Sequence, residues 1–158
     1  MDDQKKEFMR KAIELSFIGS QEGIGQGPFG AVIVKDGEIV GQGHNNVVAY
    51  NDPTAHAEVV AIRDACKKLG VYELQGCEIY TSCEPCPMCL SAIYWAKLGK
   101  IYYGNTRNDA AAIGFDDAFL YHEIPLPLSE RKITIEPLAR DEAQAAFVLW
   151  AKKENNED

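Results

Sequence analysis

His56-Ala57-Glu58, followed after a gap by Pro85-Cys86-Pro87-Met88-Cys89, brings one imidazole, one carboxylate and two thiols into a single chain. An imidazole and two thiolates suit zinc. Three protein ligands leave the fourth tetrahedral position open, whereas four close the site and make it structural. With His56, Cys86 and Cys89 as the three ligands, the pattern implies one Zn2+ per chain in a catalytic role. Such an ion lowers the pKa of a bound water from about 15.7 toward about 7. Glu58 then stays outside the metal shell and is free to carry protons.

Spacing says where these residues must sit. Residues two apart on a regular helix point to different sides, so His56 and Glu58 reach one site only from the first turn. Asp52-Pro53-Thr54 supplies a capping side chain and a proline just upstream, which is a helix-start signal. The helix that follows is expected to bury Val59, Ile62, Cys66 and Leu69 and to turn Arg63, Asp64, Lys67 and Lys68 to water. Cys86 and Cys89, three apart, share a face of a second helix whose start is marked by Pro85 and Pro87. The positive end of a helix favours thiolate over thiol and so favours metal ligation.

Other uses of the thiols compete with this one. A Cys-x-x-Cys pair also serves redox chemistry, but that reading leaves His56 and Glu58 without a role. Cys83 lies three residues before Cys86, so a different ligand pair or a third thiolate is open to the site. Cys86 and Cys89 are preferred because Cys83 precedes the helix, where a packed or substrate-facing thiol is expected. Cys66 and Cys77 read as small core residues. If Cys83 or a backbone group closed the fourth position, the chain would instead be a zinc-stabilised interaction domain.

The 158 residues suit one domain, 1–158, able to bury about 68–70% of its unfolded surface, so the metal is not needed as a staple. No signal peptide and no run approaching about 18 apolar residues is expected, and five cysteines argue against a disulfide framework. A reducing cytoplasm and no membrane partner fit best. Acidic residues outnumber basic ones 24 to 16, for a formal charge of −8 and a pI near 4.9. Such a surface repels phosphate backbones and argues against a nucleic-acid partner.

The positioning elements follow from periodicity. Met9, Ala12, Ile13, Ser16 and Phe17 set out a one-sided first helix, and glycines from Gly19 to Gly27 with Pro28 make a loop. Residues 29–34 read as a buried strand, turning at Lys35-Asp36-Gly37 into a second strand over residues 38–43. After the first site helix come a strand at residues 77–81, the second site helix over Met88–Lys97, and a strand at residues 100–104. Lys132–Ile135 reads as a fifth strand. Ala143, Ala146, Phe147 and Trp150 mark a closing helix, and the polar tail at residues 151–158 is expected to be flexible or exchanged between subunits. A hairpin followed by alternating units predicts a three-layer α/β/α sandwich around a mixed five-stranded sheet, with both site helices leaving carboxyl ends of strands.

His-x-Glu and Pro-Cys-x-x-Cys in this order resemble the zinc deaminase signature, and with Thr81-Ser82-Cys83-Glu84 the chain looks like the cytidine deaminase superfamily over nearly its whole length. Within it, Gly27-Pro28-Phe29-Gly30, Asn45-Asn46, Ala92-Ile93-Tyr94-Trp95-Ala96 and Gly114-Phe115-Asp116-Asp117 are most similar to the bacterial guanine deaminases. The resemblance implies that Glu58 is catalytic, that Asn45 and Asp117 contact a purine, and that Phe29 and Trp95 wall it. Guanine's N1–H and C2 amino group are adjacent donors, which an acceptor-only carboxylate can take together, while an amide such as Asn45 can bond the O6/N7 edge. The resemblance implies guanine conversion to xanthine and ammonia by a homodimer with an exchanged C-terminal segment that ends in an aromatic residue. Here Trp150 is the last aromatic. That departure leaves the exchange open, and with it guanosine or another aminopurine as substrate; a tRNA adenosine deaminase shares the zinc site and is the alternative enzyme.

Overall fold

The computed structural model describes residues 2–155. The elements are α1 (Asp2–Gly19), β1 (Gly30–Lys35), β2 (Glu38–His44), α2 (Val47–Tyr50), α3 (Ala57–Leu69), β3 (Cys77–Cys83), α4 (Pro87–Trp95), β4 (Lys100–Asn105), α5 (Arg107–Ala112), α6 (Ala118–Glu123), a 3-10 turn (Leu128–Glu130) and α7 (Arg140–Asn155). They fall into two compact units, Met1–Leu120 and Tyr121–Asp158.

The first unit holds a mixed sheet in the order β2-β1-β3-β4. β1 pairs antiparallel with both β2 and β3, and β3 pairs parallel with β4. β2, β3 and β4 therefore run the same way and end on one edge. The β1–β2 hairpin turns at Asp36 and Gly37, both at positive φ (51° and 77°), the backbone that a two-residue hairpin loop of this twist requires.

Both faces of the sheet are covered, which is why β1 reads as a continuous apolar run. Ala31 and Ile33, with Cys77 and Ile79, face the alanines of α3 and Ile93 of α4. Val32, Val34 and Tyr80 face Leu15 and Phe8 of α1 on the other side. Tyr80 is stacked on Tyr102 of β4 at 4.6 Å.

Two helices sit closer to the sheet than their larger apolar residues suggest. On α3 the buried residues are Ala57, Glu58, Ala61 and Ala65, while Val59 and Ile62 are half-buried and Leu69 is exposed. The expected stripe is thus rotated toward small residues. The cause is β2: a Cβ on Gly43 would lie 2.7 Å from both the Ala57 carbonyl oxygen and the Ala61 nitrogen, and one on Gly41 would lie 2.6 Å from the Ala65 Cβ. On α1 the buried residues are Ala12, Leu15, Ser16 and Gly19, and Ile13 and Phe17, expected inside, are exposed. There Gly30 lets the helix backbone approach, since its Cβ would fall 2.1 Å from the Ala12 carbonyl oxygen.

The sheet has four strands, not the expected five. Lys132–Ile135 is irregular, and Ile133 is 79% exposed. An alternating local pattern makes a strand only where a neighbour supplies a hydrogen-bond ladder and a face to bury against. In the second unit α7 forms as expected, yet none of its residues is buried. The expected tail is helical through Asn155, and residues 156–158 lie outside the described residues. Among the described residues no helix is long and apolar enough to cross a membrane.

Because Gly43 abuts backbone and not flexible side-chain ends, Gly43→Ala is expected to cost about 1–3 kcal/mol through overpacking. Gly99→Ala, whose Cβ meets only the Cys77 carbonyl oxygen at 3.7 Å, serves as the control. Urea titration of the two variants checks the difference.

Candidate active site

His56 is the N-cap of α3, with extended backbone (φ −70°, ψ 156°), and Cys86 is the N-cap of α4 (φ −68°, ψ 169°) with Pro87 at its first helical position. Cys89 follows one turn into α4. The Asp52–Thr54 segment does not cap α3. Instead Asp52 Oδ1 accepts hydrogen bonds from Thr54 N–H (2.8 Å) and its hydroxyl (2.7 Å), forming a turn one step upstream. Asp52 also pairs with Arg63 of α3 at 3.3 Å. The cap signal therefore acts by rigidifying the approach, and His56 takes the cap position with its ring free to face the site.

His56 Nδ1 lies 3.6 Å from Cys86 Sγ and 3.5 Å from Cys89 Sγ. Zinc–nitrogen bonds of about 2.0–2.1 Å and zinc–sulfur bonds of about 2.3 Å at a tetrahedral angle separate N from S by about 3.6 Å. The three donors thus already stand at the spacing that the ion imposes, and they are the group among the described residues that could hold a metal. Cys83 is buried but stands apart from this trio, its thiol donating to the Thr106 carbonyl oxygen at 3.7 Å.

The charges suit a cation. Hydrogen bonds from Cys89 and His56 pull the Cys86 thiol down to about 4, so the thiolate resides there. Hydrogen bonding to Cys86 and burial push Cys89 up, and the Cys86 thiolate raises His56. Glu58, at the second position of α3, is 7% exposed, and burial pushes its carboxyl up to about 7, with the Cys86 thiolate adding to the shift. A dication on the three donors would act on Glu58 in the opposite sense. A buried carboxyl beside the three donors is placed to accept and return a proton.

His56, Glu58 and Cys86 line a cavity of about 390 Å³ in the first unit. Asn45 lines it too. The Asn45 N–H bonds the Phe29 carbonyl (3.1 Å), extending the β1–β2 ladder by one step, so Phe29 and Asn45 arrive at the cavity together. Asn45 Oδ1 accepts from Val47 N–H at 3.0 Å, which orients the amide and leaves its NH2 end for a ligand. Asp117 lines the same cavity. Burial raises its carboxyl above the ordinary range while the Arg107 charge holds it down. Asp116 Oδ1 is occupied by Ala118 N–H (2.8 Å), the first residue of α6, so the two adjacent aspartates have different tasks.

Trp95, expected as a wall, does not line the cavity and is 84% exposed at the end of α4. Ile93 takes the core-facing position (2% exposed), and two residues further the helix has turned about 200°. Phe115 lines the cavity beside Phe29, the two rings packed edge-on at 5.1 Å and 87°. Its role went unread although it stands inside the Gly114–Asp117 motif; its place directly before the two aspartates was the available signal. Glu84 and Arg107 also line the cavity, and no sequence pattern marked Arg107.

Comparison with known proteins accords with this arrangement. The model of the cytidine and deoxycytidylate deaminase zinc-binding region matches residues 2–105. The chain is 52% identical to the guanine deaminase of Bacillus subtilis over 96% of each chain. The X-ray structure of guanine deaminase from that organism aligns with a TM-score of 0.89 at 53% identity, covering 93% of both chains. A structure of guanine deaminase from Nitrosomonas europaea aligns at 0.64 and 30% identity, covering 90% of this chain and 82% of that one. A tRNA-specific adenosine deaminase of Haemophilus influenzae is 32% identical over 94% of this chain and 84% of its own length. With the three convergent donors and Glu58 all inside the matched region, the chain belongs to the zinc-binding cytidine and deoxycytidylate deaminase family.

Proposed function

We propose that this chain hydrolyses guanine to xanthine and ammonia, with His56, Cys86 and Cys89 holding one zinc ion, Glu58 carrying protons, and Phe29, Asn45 and Asp117 binding the base. The observation that carries the reading is the shared cavity: Asp117 and Asn45 stand in the same space as Glu58 and the metal donors His56 and Cys86. An ionised Asp117 accepts from guanine N1–H and the C2 amino group and repels the N1 lone pair of adenine, while the Asn45 NH2 donates to the O6/N7 edge. When bound, zinc supplies an activated water at neutral pH. Glu58 accepts the proton that the attacking water loses and hands it to N3 as the C2–O bond forms. It then carries a second proton to the amine as the C2–N bond breaks, releasing ammonia.

The acidic balance of the chain, −8, favours a small base over tRNA, because affinity for a phosphate backbone depends on clustered Lys and Arg. We read residues 1–158 as one functional domain, since the Bacillus relative matches 96% of the chain. Five free cysteines support a reducing, cytoplasmic location. Exposed Phe147, Val148, Leu149 and Trp150 on α7 support a homodimer in which the C-terminal unit is exchanged.

Ammonia release by the purified zinc protein tests the reading against guanine, guanosine, adenine, cytosine, cytidine and tRNA; turnover of tRNA but not guanine overturns it. Glu58→Gln is expected to keep one zinc per chain by metal analysis while losing about 10²–10⁴-fold in kcat. Asp117→Asn places amide donors against guanine's donors, and its kcat/KM for guanine is expected to fall by about 10–100-fold. Light scattering after gel filtration should give twice the mass of one chain; a monomer at all concentrations removes the exchanged dimer.

A further inference from the structure

We propose that Glu84 is a positioning residue that ties the metal-binding turn to the segment that reads the substrate. The inference rests on the reading of Asp117 as the guanine-contacting carboxylate.

Glu84 stands between β3 and α4, two residues before Cys86. Its N–H donates to the Asn105 carbonyl oxygen at 2.8 Å, which continues the β3–β4 ladder and fixes its backbone. Its carboxylate Oε1 then accepts from the Arg107 N–H at 3.0 Å, in the first turn of α5. That turn is closed from the other side by a capping box: Thr106 N–H donates to Asp109 Oδ2 (2.9 Å), and Asp109 N–H donates to Thr106 Oγ1 (3.2 Å). The Cys83 thiol adds a weaker link to the Thr106 carbonyl oxygen at 3.7 Å.

From Arg107 the position is passed along the backbone. Ala110, buried and lining the cavity, accepts through its carbonyl from Ile113 N–H (3.2 Å) and Phe115 N–H (2.9 Å) as the chain reverses at Gly114, whose φ is 98°. Phe115 packs on Phe29, and Asp117 follows two residues later. Each link in this path is a short hydrogen bond or a single tight turn, so the path is stiff. Without the Glu84 carboxylate the Arg107 N–H loses that acceptor, and the β4 connection and the weaker Cys83–Thr106 contact are left to hold the start of α5 to the metal turn. The distance between the metal donors and Asp117 is then less well set, and the base is held less firmly over the chemistry.

Glu84→Gln keeps an acceptor at the same reach. Glu84→Ala removes it, and Glu84→Asp keeps the charge but falls short by one methylene, so the two failing variants do not depend on the same folding outcome. The expected result for Ala and Asp is a rise of about 10-fold in KM for guanine with kcat within about threefold and one zinc per chain retained, while Gln stays near the parent. In an Asp117→Asn background the Glu84→Ala change is expected to add no further rise in KM, because the tether acts through Asp117. A fully additive effect there, a loss of zinc, or a fall in kcat at constant KM overturns the tether. If Asp117→Asn alone leaves kcat/KM for guanine unchanged, the underlying reading of Asp117 fails instead.

Discussion

Three donors from two helices must meet within a zinc ion's bonding radius, and the rest of the molecule is arranged around that requirement. His56 and Cys86 are both helix N-caps, so the positive ends of α3 and α4 converge where thiolates are held. The convergence depends in turn on strand direction. β2, β3 and β4 run parallel to one another, so the chain leaves the sheet toward α3 and α4 at a common edge. Binding at the carboxyl edge of an open α/β sheet follows from this geometry.

The depth of α3 is the second constraint. Glu58 can be buried beside the metal donors only because its helix lies against β2 with glycine on one side and alanine on the other. A helix packed through leucines would stand farther from the sheet and lift the carboxylate toward solvent. Burial is what raises the Glu58 carboxyl, so packing density at Gly41 and Gly43 reaches its titration through the position of one helix.

Family membership accounts for the zinc apparatus, and part of the cavity beside it lies outside the matched region. The matched region ends at residue 105, whereas Arg107, Phe115 and Asp117 lie beyond it. Residues from both sides of that boundary meet in one cavity: Phe29, Asn45, His56, Glu58 and Cys86 from within the matched region, and Arg107, Phe115 and Asp117 from beyond it. The seam between them is where Glu84 and Arg107 touch.

Much of this was legible from residue types. The ligand set was readable because tetrahedral zinc admits few donors and the spacing of the prolines marked two helix starts. The hairpin was readable because Asp-Gly is a local signal, and the first strands because burial on both faces leaves an uninterrupted apolar run. What failed were inferences about contacts between distant segments: the buried sides of α1 and α3, a fifth strand at residues 132–135, and Trp95 as a wall. Periodicity finds the apolar side of a helix but not which neighbour's glycines let the backbone in, and a strand's existence depends on a partner that its own residues do not encode. The chain's sequence alone therefore determined the metal donors and the order of elements, because those rest on bonding chemistry and local backbone preference. Only the tertiary structure decided that Phe115 walls the site, that Glu84 reaches Arg107 and how deep Glu58 lies, because each is a distance between segments brought together by packing.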